Sequence, residues 1–328
     1  MIKIKKILSA LLRIVISVVL LVFLFKFNKI DLHTLWLDIQ GADKLLLFIG
    51  FGIYFFMYLL GFLRWKMLLK AAGVKAPFKK IISSFSGGVF FSIFLPSTIG
   101  GDLVRTVDLI DHTKKGKEVV ASVFLDRLSG YIGLVIVILP ALLLGRFLVL
   151  DKVVFSSVFT IVILLAIVLL VLFNNFIYTK ITKFLSTPGA VKIKEILKNM
   201  HQEIHIFRNH KKTIIYNLIL SFIIQLIGPV SVYFIGLSLG IKINFVYFLI
   251  FLPIIGAITL LPIAIGGLGL REGLFVLYFA KAGVIKQLAL AMSLLSFSFV
   301  IFYAAIGGLI YVLTVHHRRL QSSKSSPV

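Results

Sequence analysis

Long apolar runs constrain this chain more than any other feature of its sequence. A helix needs about 20 apolar residues to cross the roughly 30 Å of hydrocarbon in a bilayer. Hydrophobic residues make up 60% of the 328 and charged residues only 14%, against about 25% charged in soluble domains. A soluble core cannot bury that much apolar surface, so we predict an all-α polytopic integral membrane protein. Six runs long enough to span a bilayer fall near residues 7–25, 45–63, 121–145, 153–173, 213–236 and 288–313.

Two further apolar stretches, 81–99 and 245–280, are interrupted by proline and by paired glycines. Their placement follows from the distribution of Lys and Arg, which favour the cytoplasmic side of a membrane protein. The segments rich in these bases, which we place in the cytoplasm, are the N-terminus, residues 64–80, residues 174–212 and the C-terminal tail. The sparse segments, which we place outside, are 26–44, 146–152 and 237–244.

This charge distribution makes each interrupted stretch begin and end on one side of the membrane. Residues 100–120 carry equal numbers of acids and bases, and we expect them to form a cytoplasmic connection because they follow the basic segment 64–80. Stretch 81–99 then opens to the inside and stretch 245–280 to the outside. We predict two re-entrant hairpins or broken helix pairs entering from opposite faces. Six full crossings then leave both termini in the cytoplasm, with the protein in the cytoplasmic (inner) membrane.

The two interrupted stretches also share a sequence. Residues 95–105 and 261–271 agree at six of eleven positions: Leu, Pro, Ile, both Gly and the final Arg, where chance would give about one. With the opposite orientations, this predicts an inverted-topology repeat, as in many secondary transporters, whose interrupted helices meet near the midplane. The alternative is that proline and glycine merely bend ordinary packed helices.

The whole chain is predicted to be a single membrane domain, residues 1–328. We expect none of its parts to be a soluble domain, because no polar segment exceeds roughly 40 residues. They are an N-terminal anchor helix and loop (1–44), a first repeat (45–145), a linking span with a basic amphipathic cytoplasmic segment (146–212), a second inverted repeat (213–313) and a basic cytoplasmic tail (314–328).

Charged residues near the membrane centre are candidates for a binding site, because burying a charge in lipid costs at least ~2.5–3.5 kcal/mol. Arginine suits phosphate oxygens, and paired glycines allow close approach of a ligand to the backbone. Acids there would hold a cationic headgroup or keep the arginines paired when the site is empty. The predicted substrate-binding residues are Pro96, Gly100, Gly101, Asp102, Arg105, Asp126, Arg127, Pro262, Gly266, Gly267, Arg271 and Glu272. The alternative is that these acids and bases neutralise one another structurally.

Other chemistry has little support in the sequence. It holds no cysteine and no phosphate-binding loop, dinucleotide fingerprint or nucleophile elbow. His201 and His205 are four residues apart, but they lie in segment 190–210, whose apolar positions recur at helical spacing opposite bases. That pattern is typical of a helix lying on an anionic leaflet. We expect no catalytic residue, metal, cofactor or nucleic acid.

Three motifs in order resemble a known family. They are Leu95-Pro96 with Gly100-Gly101-Asp102 and Arg105; Ala121-Ser122 with Asp126-Arg127 and Gly130; and Pro262 with Gly266-Gly267-Leu268-Gly269 and Arg271-Glu272. Together they resemble the lysylphosphatidylglycerol synthase transmembrane family, the flippase-like domain, over roughly residues 10–315. The resemblance implies movement of an aminoacylated phospholipid between leaflets. We expect no lipid aminoacylation, since only about 15 residues follow the last span.

The leading functional hypothesis is flippase-like translocation of a charged phospholipid across the cytoplasmic membrane, so the protein is predicted to be a transporter rather than an enzyme. Two alternatives stay open. One is a non-catalytic accessory protein in envelope glycolipid, polyprenyl-phosphate or aminoacyl-phospholipid metabolism. The other is an integral-membrane transferase with Asp102 or Asp126 as acid–base residue. The expected partners are membrane lipids, either anionic or aminoacylated phospholipid or a polyprenyl-phosphate lipid, and a homo-oligomer is left open.

Overall fold

The described part of the chain is built of helices, with no strand within it. The computed structural model describes residues 2–28, 30–95, 98–145, 148, 151–173, 179–180, 206–207, 209–260 and 264–324. The helices, numbered in chain order, are α1 (Ile2–Phe27), α2 (Leu32–Gln40), α3 (Lys44–Ala71), α4 (Phe78–Phe94), α5 (Thr98–Thr113), α6 (Gly116–Leu144), α7 (Lys152–Phe173), α8 (Lys211–Ser238), α9 (Phe245–Thr259), α10 (Leu270–Lys281) and α11 (Lys286–Lys324).

Five of these helices are long and apolar enough to cross a membrane: α3, α6, α7, α8 and α11. They coincide with five of the six predicted spans. The sixth predicted span lies in α1, whose apolar part within the described residues is Val15–Phe27. The protein is therefore a polytopic α-helical membrane protein, as the apolar runs predict.

Both interrupted stretches are broken helix pairs. In the first, α4 ends at Phe94, Leu95 is extended with φ −89° and ψ 151°, and α5 packs back against α4. In the second, α9 is followed by a single 3-10 turn, Ile265–Gly267, before α10 begins. Pro96 and Pro262, predicted at the two breaks, lie outside the described residues, as does most of segment 190–210 with His201 and His205.

Residues 100–120, which we expect to form a cytoplasmic connection, are mostly helical, because α5 runs to Thr113 and α6 begins at Gly116. This helix is amphipathic with its polar face turned inward. Asp102, Arg105 and Thr106 are buried, whereas Leu103 and Val107 are more than 60% exposed. A hydropathy profile averages the two faces and shows only a charged, mixed segment, so the helix is hidden in the sequence.

The two repeats pack reciprocally. Helix α3 lies against its counterpart α8, while α4 of the first repeat packs on α11 and α9 of the second packs on α6. The α4–α11 contact is close: a Cβ on Gly307 would lie 2.8 Å from the carbonyl oxygen of Ser86. The breaks meet as well, since a Cβ on Gly266 would lie 2.9 Å from the carbonyl oxygen of Ile93. Such exchange of arms is the packing expected of units related by a two-fold axis.

The predicted sidedness can be tested with single cysteines, because the chain has none of its own. Lys79, in the first turn of α4, and Lys242, in the connection before α9, are exposed, and the base count places them on opposite sides. We expect Lys242→Cys to react with an impermeant thiol reagent in intact cells and Lys79→Cys to react only after permeabilisation. Labelling of Lys79→Cys in intact cells would contradict an inward-opening first hairpin. Permeabilised cells, where both should react, provide the control.

Candidate functional site

Helices α5 and α6 bring together the four charged residues predicted in the first repeat. Asp102 and Arg105 are one turn apart on the inward face of α5, as their spacing predicts. Asp126 and Arg127 are the eleventh and twelfth residues of α6, which begins at Gly116. Asp102, Arg105 and Asp126 are all at least nine-tenths buried, so their charges require partners.

The four charges form a network between the helices rather than two local pairs. Nη2 of Arg105 lies 2.8 Å from Oδ1 of Asp102 and 2.9 Å from Oδ2 of Asp126. Nε of Arg127 donates to the other oxygen of Asp102. The predicted alternative of three independent neutralising pairs therefore holds only in part, since Asp126 and Arg127 pair with α5 instead of with each other.

Arg64 is a third base in this network, and the sequence analysis missed it. Its Nε donates to Oδ1 of Asp126 at 2.8 Å, and its Nη1 donates to Oγ of Ser221 on α8 at the same distance. The apolar run suggests that the third helix ends near residue 63, which made Arg64 one of several loop bases. Helix α3 instead continues to Ala71, so Arg64 projects from its wall into the protein. The available signal in the sequence was the large apolar residue Trp65 directly after Arg64, which indicates that the helix does not end at residue 63.

Two glycines allow α5 to lie against α4 closely enough to support this network. A Cβ on Gly101 would lie only 2.1 Å from the carbonyl oxygen of Gly88, and one on Gly88 would lie 3.0 Å from Cβ of Arg105. Gly100 and Gly101 are inside α5, which begins at Thr98. Gly101 therefore serves the contact of α5 with α4, while a Cβ on Gly100 would meet the side chain of Leu95 at the break.

The network borders a cavity of about 230 Å³. Three arginine charges against two aspartate charges leave the cluster at +1. Nε of Arg105 has no hydrogen-bond partner among the described residues, and its guanidinium carbon lies 4.7 Å from the centre of the Trp65 ring. The cavity is lined by Gly61, Arg64, Phe85, Gly88, Val89, Ser92, Asp102, Arg105, Asp126 and Arg127.

Arg127 also borders two further cavities. One, of about 420 Å³, lies between α3, α6, α8 and α9 and includes Arg64 and Asp126 in its wall. The other, of about 830 Å³, is largely apolar and runs between α6, α7 and α9. The side chain of Arg127 is 33% exposed, against 12% for Arg64 and 6% for Arg105. Arg127 therefore lies between the cavity lined by the charged cluster and the apolar groove.

The second repeat uses its charges differently. Arg271 pairs with the neighbouring Glu272 at 2.6 Å and lies 3.8 Å from the centre of the Phe297 ring. The other oxygen of Glu272 accepts the backbone N–H of Gly269 at 2.6 Å, so this fully buried carboxylate caps α10. Gly266, Gly267 and Gly269 all have positive φ, which only glycine adopts readily.

The structure therefore places Arg105 and Arg271 in separate ion pairs. Arg271 is not among the residues that line the cavity at Arg105. The helix N-terminus that follows the second glycine pair, where an anion is favoured, is occupied by the protein's own Glu272 carboxylate.

A second buried ion pair connects the arms of the first hairpin, and sequence analysis missed this one too. Nζ of Lys80 on α4 lies 2.6 Å from Oδ1 of Asp108 on α5, and Ser84 donates to the other oxygen of Asp108. Lys80 is only 3% exposed, although the sequence suggested a loop base. This contact fixes α5 against α4 about one turn beyond Arg105 of the main cluster.

The fold and this site define a class of protein: a polytopic membrane protein with an arginine–aspartate cluster buried beside a broken helix pair. The chain belongs to the family described as the lysylphosphatidylglycerol synthase TM region, whose model matches residues 10–307. It is similar to UPF0104 membrane protein PH1989 of Pyrococcus horikoshii, with 25% identity over 335 residues that cover 95% of this chain and 98% of the relative. No solved structure matches the chain.

Proposed function

We propose that this protein moves a phosphate-bearing lipid between the leaflets of its membrane, with the phosphate held at Arg64, Arg105 and Arg127. The observation that carries the proposal is the excess positive charge of a buried cluster beside a cavity. A phosphodiester carries one negative charge and would neutralise that excess. Guanidinium forks match phosphate oxygens with two hydrogen bonds at once.

The carboxylates favour an anionic headgroup over a cationic one. Asp102 is bonded to Arg105 and Arg127, and Asp126 to Arg64 and Arg105. Both acids are thus occupied by arginine, which is the arrangement expected of an empty anion site whose bases are kept paired. A cationic headgroup would have to displace an arginine from a buried carboxylate and leave that arginine's charge uncompensated, which is costly.

The neighbouring cavities supply the second requirement of a lipid carrier. A headgroup has to remain in a polar environment while its hydrocarbon chains stay in an apolar one. Arg127 borders both kinds of space, so a lipid phosphate bound there lies at the boundary between them. Transport between leaflets would then need no chemical step and no cofactor.

The test is a liposome assay with purified protein and phosphatidylglycerol labelled on its headgroup side. We expect protein-dependent exchange between leaflets without any added donor. Exchange should fall sharply in Arg127→Gln, since the amide keeps much of the side chain's bulk but loses its charge and fork. Lys114→Ala is the matched control, because Lys114 is an exposed base paired only with exposed Asp111 at the described surface.

Parallel liposomes separate this proposal from the alternatives. Exchange of phosphatidylglycerol or of a polyprenyl phosphate, with lysyl-phosphatidylglycerol moved more slowly, would support an anionic substrate. A new lipid product that appears only when a donor is added would instead support a transferase. Absence of exchange for all three lipids by folded protein would overturn the proposal.

A further inference from the structure

A large apolar groove lies on the outside of the helix bundle. Its volume is about 830 Å³, and it is lined by one face of α7, by α6 between Phe124 and Leu134, and by the end of α9. Its lining residues on α7 recur at helical spacing from Lys152 to Val168. At 1.5 Å per residue this is about 24 Å, most of the roughly 30 Å thickness of a hydrocarbon core.

The groove has a polar edge and basic residues at two levels. Ser156, Ser157 and Thr160 line it along α7, and Tyr131 lines it on α6. The hydroxyl of Thr160 donates to the carbonyl oxygen of Ser156 at 2.8 Å, and that of Ser157 donates to Val153 at 2.7 Å. Because a hydroxyl hydrogen can rotate, each of these groups can turn from its helix carbonyl and donate to an anion in the groove instead.

The two basic residues are Arg127, which belongs to the buried cluster, and Lys152 at the start of α7. The hydroxyl residues lie between them along the groove. A negatively charged group leaving Arg127 would therefore find hydroxyl donors and then a second positive charge at the predicted outer end of α7. An ordinary lipid-facing surface of a span offers no such sequence of groups.

Helix α7 is also weakly attached to the rest of the protein. Its main packing partners among the described helices are α6 and α9. Ser157 also shares a hydrogen bond with Tyr278 on α10 at 2.8 Å, and Asp151 just before α7 pairs with Lys281. Most of the large side chains of α7 are exposed, including Phe155 and Phe159. Few buried contacts mean that separating α7 from its neighbours costs less than moving any helix of the core. The groove thus lies beside the element best able to shift.

From these observations we infer that the gap between α6 and α7 is the lateral portal through which the lipid enters and leaves. The hydrocarbon chain lies in the apolar groove while the phosphate is at Arg127, and the headgroup moves along the Ser156–Thr160 edge to Lys152. This inference rests on the proposed function and adds to it the route and the residues that line it.

A reversible block of the groove tests the inference. Thr160→Cys provides the only thiol in an otherwise cysteine-free chain, and a bulky reagent attached through a disulfide would fill the groove at mid-length. We expect labelling to reduce lipid exchange in liposomes to the rate of protein-free vesicles, and a reductant to restore it in the same sample. Ser298→Cys is the matched control, because Ser298 is an exposed hydroxyl residue on α11, away from the groove.

Each outcome has one meaning. If the unlabelled wild-type protein exchanges no lipid, the proposed function fails. If it does exchange lipid and labelled Thr160→Cys is equally fast, the portal is wrong and the function stands. Failure of Thr160→Cys to react, or equal inhibition through Ser298→Cys, would also overturn the portal, since the first denies an open groove and the second shows an unspecific effect.

Discussion

Replacing Arg105 with alanine is expected to abolish lipid exchange and to destabilise the fold at the same time. One nitrogen of Arg105 bonds both Asp102 and Asp126, so the change removes two charge-assisted hydrogen bonds in a buried site. The expected loss is on the order of 3 kcal/mol of stability. Thermal unfolding in detergent and leaflet exchange in liposomes measure the two effects separately.

A second variant separates folding from function at this position. Arg105→Gln puts a neutral amide donor in place of the guanidinium, while Asp126 and Asp102 keep Arg64 and Arg127 as partners, so much of the stability should return while exchange stays low. Arg105→Lys should recover exchange only in part, because an ammonium can replace the one nitrogen that contacts both carboxylates but lacks the planar fork that matches a phosphate. Full exchange activity in a folded Arg105→Ala protein would refute a phosphate site at this cluster.

The other large effect is expected from Gly101→Ala. The new methyl group would lie 2.1 Å from the carbonyl oxygen of Gly88, and because that atom belongs to backbone, two helices have to separate. Overpacking of this kind costs about 1–3 kcal/mol and sometimes more. It would also shift Arg105 relative to Asp126, so exchange should decline further than stability alone explains.

Gly52→Ala in α3 is the control for this change, since nothing lies within 4 Å of its added methyl group. There the substitution should leave stability unchanged or raise it by about 0.5–1 kcal/mol, because alanine is the better helix former. Similar melting temperatures for the two alanine variants would show that α4 and α5 are less tightly packed than described here.

Much of this architecture could be predicted from sequence because its determinants are long and simple. A membrane span is a run of apolar residues, so the positions of these runs along the sequence predict five of the helices. The breaks were located because proline and paired glycine recur in both repeats. The shared face of Asp102 and Arg105 followed from helical spacing, and their burial followed from the cost of a charge in lipid.

The parts that were missed depend on where a helix ends and which way it faces. Arg64 and Lys80 were counted as loop bases because hydropathy falls at that point, although α3 continues beyond its apolar run and α4 begins before its own. Helix α5 was taken for a connection because its charged face points inward, the reverse of a soluble amphipathic helix. Which acid pairs with which base is a property of three-dimensional packing, and spacing along the chain does not determine it.

The capping of α10 by Glu272 has a consequence for how the two halves cooperate. In the first half, acids and bases of separate helices bond to one another beside a cavity. In the second half, the acid caps the terminus of its own helix. The duplicated halves have thus divided the labour: one holds the charged centre and the other serves as its scaffold. Under the proposed function, halves this unequal do not exchange roles during a transport cycle. Access then changes around a stationary site, and α7, outside both repeats, is the helix proposed to move.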